Sequence, residues 1–279
     1  MDKLYFGTGG IPLSTEPRNT ENGIKKIHEL GLGSMELEFV RNITVSKEKA
    51  PEIKKIAEKE NVKLTAHASY FINLNAQDLE KRDASRKRLV DAATRLSECN
   101  GYSVCVHAAY RLESSKEEVF KNVKEQFEKA VQECKDSNVK VWIRPETAGK
   151  HAQFGNIDEL IEFSQGFDQV LPCIDFSHIR ATTAGKVNNY EEYCKIFDKM
   201  ENGFGRKIGL EEMHLHIQGV NFADKGEKNH LTIEEDPLWN YKDLMRALRD
   251  YKCKGCVTVE SPNLEADAQR LKKEYEGQN

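Results

Sequence analysis

The chain has 279 residues, enough for two ordinary domains or for one α/β barrel of about 250 residues. Its 38% hydrophobic and 32% charged residues exclude wholesale disorder, and the lack of any run of about 18 apolar residues excludes a membrane-spanning helix. The net charge of −4 supplies no global positive field, so a polyanionic ligand would have to be held by local lysines, arginines or bound cations.

The sequence Met-Asp-Lys-Leu-Tyr-Phe passes directly into strand-like residues, with no apolar signal core, which points to a cytoplasmic protein. Short β-branched runs then alternate with amphipathic helical stretches. Strands are expected over residues 3–8, 34–39, 62–67, 102–107, 139–146, 170–175, 211–217 and 255–260, each followed by a helical pattern. After the third strand, residues 78–99 place Leu79, Leu89, Ala93 and Leu96 on one face. After the fourth, Val119, Phe120, Val123, Phe127, Ala130, Val131 and Cys134 recur at helix spacing. No linker interrupts the series, so residues 1–279 read as one domain. Eight strand–helix units imply parallel strands joined by right-handed crossovers, and eight is the number that closes a (β/α)8 TIM barrel. The seven cysteines are scattered as reduced, buried thiols would be. Cys253 and Cys256 form a lone C-x-x-C with no second pair to complete a zinc site.

The polar residues fall at the strand ends. His67, His107, Glu146, Asp175 and Glu260 close the third, fourth, fifth, sixth and eighth strands, and His214 lies within the seventh. In a barrel these ends open into one bowl, where the chemistry of such enzymes is kept. Alternation agrees. Thr65 and His67, Ser103, Cys105 and His107, His214 and His216, and Cys256, Thr258 and Glu260 share an inward parity against apolar neighbours. A lone buried histidine is usually a hydrogen-bonded core residue, and a lone strand-end carboxylate usually caps a helix. Six coincident ends are better explained by cations that relieve carboxylate repulsion. Imidazole and carboxylate donors together suit Zn²⁺, with Mn²⁺ or Fe²⁺ next, and their number exceeds one tetrahedral shell. His178, one helical turn beyond Asp175, and His230, on a charged loop, extend the set. His28 reads as structural or exposed, and His151 as solvent-facing or adjacent to the site.

In this order the motifs resemble the endonuclease IV family of apurinic/apyrimidinic endonucleases, within the wider xylose-isomerase-like barrels. His67-Ala68-Ser69-Tyr70-Phe71-Ile72-Asn73-Leu74 resembles H-A-P-Y-x-I-N-L, and Glu146-Thr147-Ala148-Gly149 resembles E-N-T-A-G with one residue missing. Asp175-Phe176-Ser177-His178 is similar to D-x-x-H, Met213-His214-Leu215 to M-H-L, and Val259-Glu260-Ser261-Pro262 to L-E-T-P. Val106-His107 resembles the second metal histidine, although Ala108-Ala109 replaces the family's following P-G.

The resemblance implies two to three zinc ions, with Mn²⁺ an alternative. His67, His107 and Glu146 would hold the first, and Glu146, Asp175, His214 and Glu260 the second. His178 and His230 would hold the third. The family's acid two residues before the last histidine is replaced by Lys228, and Glu227 is the substitute. Glu146 and Glu260 become the catalytic carboxylates, and the implied reaction cuts the phosphodiester 5′ to an abasic site in double-stranded DNA. Tyr70, Arg41, Arg111 and Lys225, on mouth-side loops, are the expected DNA contacts, and the chain is expected to act as a monomer. The alternatives are a single-metal sugar isomerase or epimerase of the same barrel group, and a protein that binds damaged DNA without cutting it.

Overall fold

A computed structural model describes residues 1–277. The first half runs β1 (Leu4–Gly9), α1 (Thr20–Glu29), β2 (Ser34–Glu38), α2 (Ala50–Glu60), β3 (Lys63–His67), α3 (Leu79–Glu98), β4 (Ser103–Val106) and α4 (Lys116–Asp136). The second runs β5 (Trp142–Pro145), α5 (Ile157–Ser164), β6 (Ile174–Asp175), α6 (Phe176–Thr182), α7 (Tyr190–Gly209) and β7 (Met213–His216). It ends with β8 (Gly219–Ala223), β9 (Gly226–Leu231), α8 (Tyr241–Asp250), β10 (Gly255–Val259) and α9 (Glu265–Glu276).

Among the described residues, eight strands form one parallel sheet in the order β5-β4-β3-β2-β1-β10-β7-β6. Parallel bridges from Ile143 to Val170 and from Glu146 to Cys173 join its two outer strands, so the sheet curls round upon itself. The expected TIM barrel is therefore present, with local departures. The strand expected over 170–175 shrinks to Ile174–Asp175, since Pro172 has no N–H to give the ladder. Two helices follow β6, and the connection after β7 carries the antiparallel hairpin β8–β9 ahead of α8.

The helices bury the stripes their spacing demands. On α4, Val119, Val123, Phe127, Ala130, Val131 and Cys134 are buried, and the Ser115 hydroxyl caps its start by accepting from the Glu118 amide. On α3, Leu89, Ala93 and Leu96 are buried, but Leu79 is the first helical residue and is 69% exposed. Phe163 of α5 meets Phe127 edge to face, with ring centres 5.0 Å apart, and also Phe120 and Phe154. Inside the ring, Glu36, Thr65, Ser103, Cys105, His214 and Thr258 are buried on the inward parity. Arg144 closes the end away from the strand tips, donating to the carbonyls of Pro172 and Glu212 and to the Tyr102 hydroxyl.

Truncating Phe163 to alanine removes the centre of the aromatic cluster and leaves a cavity. Chemical denaturation should show a loss of about 3–5 kcal/mol with an unchanged denaturant slope.

Candidate metal centre

The strand tips deliver the expected side chains to one mouth. His67 ends β3 and Asp175 ends β6, while His107, Glu146 and Glu260 each stand one residue beyond their strands. His178 comes from the first turn of α6, and Glu227 and His230 from β9. They surround an open cavity of about 250 Å³ whose walls include Tyr70, Tyr110, Lys150 and Gln153.

The imidazoles are oriented by one repeated device. The Nδ1–H groups of His67, His178 and His230 donate to the carbonyls of Ala68 (2.7 Å), Thr147 (2.9 Å) and Glu260 (3.1 Å). A carbonyl can only accept, so Nδ1 carries a proton in each ring and Nε2 is the atom left to face a carboxylate. Burial opposes a charge on His67 and His230, but Glu146 and Glu227 outweigh it and raise them to about 10 and about 9, so cations bound there would displace protons. His67 Nε2 lies 3.4 Å from Glu146 Oε2, and His178 Nε2 and His230 Nε2 each lie 3.1 Å from an oxygen of Glu227.

Glu146 is the centre of the arrangement. Its Oε2 also lies 3.6 Å from His107 Nε2, and its Oε1 lies 3.2 Å from His178 Nδ1 and 3.3 Å from His216 Nδ1. Both oxygens are buried without a hydrogen-bond donor, as is Nδ1 of His216. Separations of this size suit ligands that share an ion at about 2.0–2.2 Å better than they suit hydrogen bonds. The donor set therefore fits divalent cations bound through nitrogen and oxygen. Burial opposes a charge on Glu146, but His107, His216 and His178 outweigh it and hold its carboxyl well below the usual range. Burial, more than the opposing pull of Glu146, pushes His107 down to about 4, so its ring stays neutral, as a ligand must be. Burial raises Asp175 to about 6 despite the nearby His178.

The group of His178, Glu227 and His230 depends on a close backbone crossing. The Glu227 amide donates to Gly149 O at 2.8 Å, where the loop after β5 passes under the hairpin. A Cβ on Gly149 would stand 2.5 Å from Glu227 Oε2 and 2.6 Å from the His178 ring. Gly226, at φ +101°, makes the same approach from the other side.

One expected ligand is displaced. His214 pairs with Cys256 across the sheet and His216 with Thr258, so His214 lies two residues, roughly 6–7 Å, deeper in the barrel. Its Nδ1 meets Ser103 Oγ at 2.8 Å and its Nε2 meets Glu36 Oε2 at 3.0 Å. His216, the extra imidazole of the sequence, occupies the mouth instead, with Nδ1 between Glu146 and Glu260. Parity identifies the inward face and does not give depth.

The residues expected to contact DNA fall in different places. Arg111 is held by Glu159 at 2.7 Å with its side chain largely covered, and Arg41 lies in a separate cleft with Arg88 and Asp91. Tyr70 stands on the rim, 58% exposed and 5.3 Å from the His67 ring, and Lys225 sits at the exposed turn between β8 and β9. His28 and His151 lie away from the cavity walls, and Cys253 and Cys256 are buried free thiols.

Sequence reasoning missed Glu36, Glu38, Gln218 and Lys150. Glu36 accepts from Thr65 and contacts both His214 and His216. Burial drives Glu38 up to about 8, with the charge of Glu36 adding to it. Gln218 donates to Asp175 Oδ2 at 2.8 Å, and Lys150 lines the cavity. Alternation in Met35-Glu36-Leu37-Glu38-Phe39 carries the signal for the two acids, since it matches the rule that the other strands obey.

Residues 24–276 match the family described as xylose isomerase-like TIM barrel. An uncharacterized protein of Methanocaldococcus jannaschii is 38% identical over 272 residues, covering 98% of this chain and 97% of its own. A D-tagatose 3-epimerase-like protein superposes with a TM-score of 0.75 at 20% identity, covering 98% of this chain and 97% of its own. Endonuclease IV from Thermus thermophilus also reaches 0.75, at 17% identity, covering 99% of this chain and 98% of its own. At those identities the structural likeness is one of fold. The match over nearly the whole length, on a ring of eight parallel strands, makes the chain a member of the xylose isomerase-like TIM barrel family.

Proposed function

We propose that the protein is a zinc-dependent endonuclease that hydrolyses the phosphodiester 5′ to abasic sites in double-stranded DNA. The observation that carries this reading is the trio of His178, Glu227 and His230, set beside the Glu146 cluster with both Nε2 atoms turned onto Glu227. His67, His107 and Glu146 would hold one ion, and Glu146, Asp175, His216 and Glu260 a second. His178, Glu227 and His230 would hold a third. Ions bound there would lower the pKa of water from about 15.7 toward about 7 and offset charge on the phosphoryl group.

The side chains supply the rest. Ala68, Thr147 and Glu260 fix three imidazole rings through their carbonyls, and Gln218 fixes Asp175, so the donors are in place before substrate arrives. Glu146 and Glu260 face each other across His216, framing the reacting centre. Lys150 at the cavity wall and Lys225 on the hairpin turn are placed to meet phosphates. The Tyr70 ring is placed to fill the gap left by a missing base, which costs less to open than an intact pair.

The rival is a single-metal sugar isomerase or epimerase, favoured by the cavity of about 250 Å³, which suits a monosaccharide. That chemistry would use Glu146, Asp175, His216 and Glu260 and leave His67, His107, His178, Glu227 and His230 without a task.

Protein purified without chelator should nick a duplex carrying one abasic analogue, lose the activity in EDTA and regain it with Zn²⁺. One manganese per chain, epimerised ketose and no nicking would establish the rival instead. Glu227→Gln should lower the nicking rate by about 10²-fold or more, and Gly149→Ala, which forces Glu227 and His178 apart, should do the same with native circular dichroism. His216→Ala should remove bound metal and nicking together. His214→Gln should keep nicking within about 10-fold of wild type, the loss expected from a group that lies below the mouth and supports its ligands. Equal loss in the two histidine variants would contradict the placement of His216 at the mouth.

A further inference from the structure

Beneath the mouth, the barrel interior holds a second set of donors, three of which the proposed hydrolysis leaves unused, with His216 common to both. Cys105 of β4, Cys173 just ahead of β6, and His214 and His216 of β7 each present one donor atom, and all four atoms lie within 4.8 Å of one another. All four residues are buried, and both thiols are free. Cys105 Sγ stands 3.6 Å from His216 Nε2. Zinc bonds of about 2.3 Å to sulfur and about 2.0–2.1 Å to nitrogen put tetrahedral donors about 3.3–3.8 Å apart, so this edge already has the required length. Glu36 borders the set, 3.8 Å from Cys105 Sγ, with its Oε1 buried and lacking a hydrogen-bond donor.

We propose that Cys105, Cys173, His214 and His216 form a buried structural zinc site inside the barrel, separate from the ions of the mouth. Two thiolates and two imidazoles select zinc over magnesium, calcium or manganese, which prefer oxygen. The set has no open side for substrate, because the ring of strands surrounds it and His216 and Glu146 roof it. Its task is structural: it ties β4, β6 and β7 together from within. His216 faces both ways, with Nε2 toward this set and Nδ1 toward Glu146 and Glu260. With ions on both sides its ring would be a shared imidazolate, the one N–H proton of the neutral ring having passed to solvent. The inner ion would then fix the ring that the mouth also uses.

The inference does not rest on the nuclease reading, and cobalt separates the two. Thiolate bound to Co²⁺ gives intense near-ultraviolet charge transfer; Cys105 also lies within 4.8 Å of donor atoms of His67 and Glu146, so a weakened band in Cys173→Ser alone, whose thiol belongs to the inner set, separates the inner site from the mouth. Full-length protein loaded with Co²⁺ during expression should show that band, and it should persist in Glu227→Gln and Cys253→Ser. It should vanish in the Cys105→Ser, Cys173→Ser double variant, which should also carry one zinc fewer per chain than wild type when grown on zinc. Cobalt bound without charge transfer, or a band that survives the double substitution, would overturn the inner site. Should the double variant fail to fold, Cys173→Ser decides the matter: a band of unchanged intensity there would overturn the inner site. Nicking without the band would leave the nuclease standing alone, and the band without nicking would leave only the inner site.

Discussion

A carboxylate sealed from water needs positive charge or hydrogen-bond donors, and Glu146 has no donor of its own. It sits at the tip of β5, fully buried, with four imidazole nitrogens 3.2–3.6 Å from its two oxygens. Burying an unpaired carboxylate costs several kcal/mol, so this anion stays ionised only because the surrounding rings, or ions held among them, neutralise it. The mouth can be understood from that demand. Histidines arrive from β3, β4, α6 and β7 because those elements end around one point. Backbone carbonyls hold Nδ1 of three imidazoles and so fix the direction in which each Nε2 points.

Much of this arrangement could be read from the sequence. His67, His107, Glu146, Asp175 and Glu260 end apolar runs, and a strand-end residue in a barrel has one destination. Glu227 was legible only as the nearest acid to His230, and the structure brings its two oxygens onto the two histidines concerned. The displaced residue is informative. His214 and His216 share a parity, and alternation gives the face of a strand while height comes from register with β10. The ion pair of Arg111 was hidden for a different reason. Its partner Glu159 is 48 residues away, and a long-range ion pair leaves no local trace. The hairpin β8–β9 was also hidden, because its charged residues lack the apolar alternation that marks a buried strand.

The fold alone cannot choose between chemistries. An epimerase-like protein and an endonuclease superpose equally well on this chain, so activity has to be read from the donors. Here the donors outnumber what one ion can use, and they divide into groups that share Glu146. In the proposed nuclease a chain with net charge −4 would gain from gathering cations at one point, since the attraction for a phosphate backbone would then act at the mouth.

The hairpin that carries Glu227 and His230 is fastened by a buried pair. Arg180 of α6 holds Asp236 from both guanidinium nitrogens, and Asp236 in turn accepts from the Val220 amide at the foot of β8. Two of the three groups in the outer trio thus belong to a single insertion between β7 and α8, while the Glu146 cluster belongs to the strands. A barrel built this way can acquire or shed part of its metal complement by exchanging one connection, with its eight staves untouched.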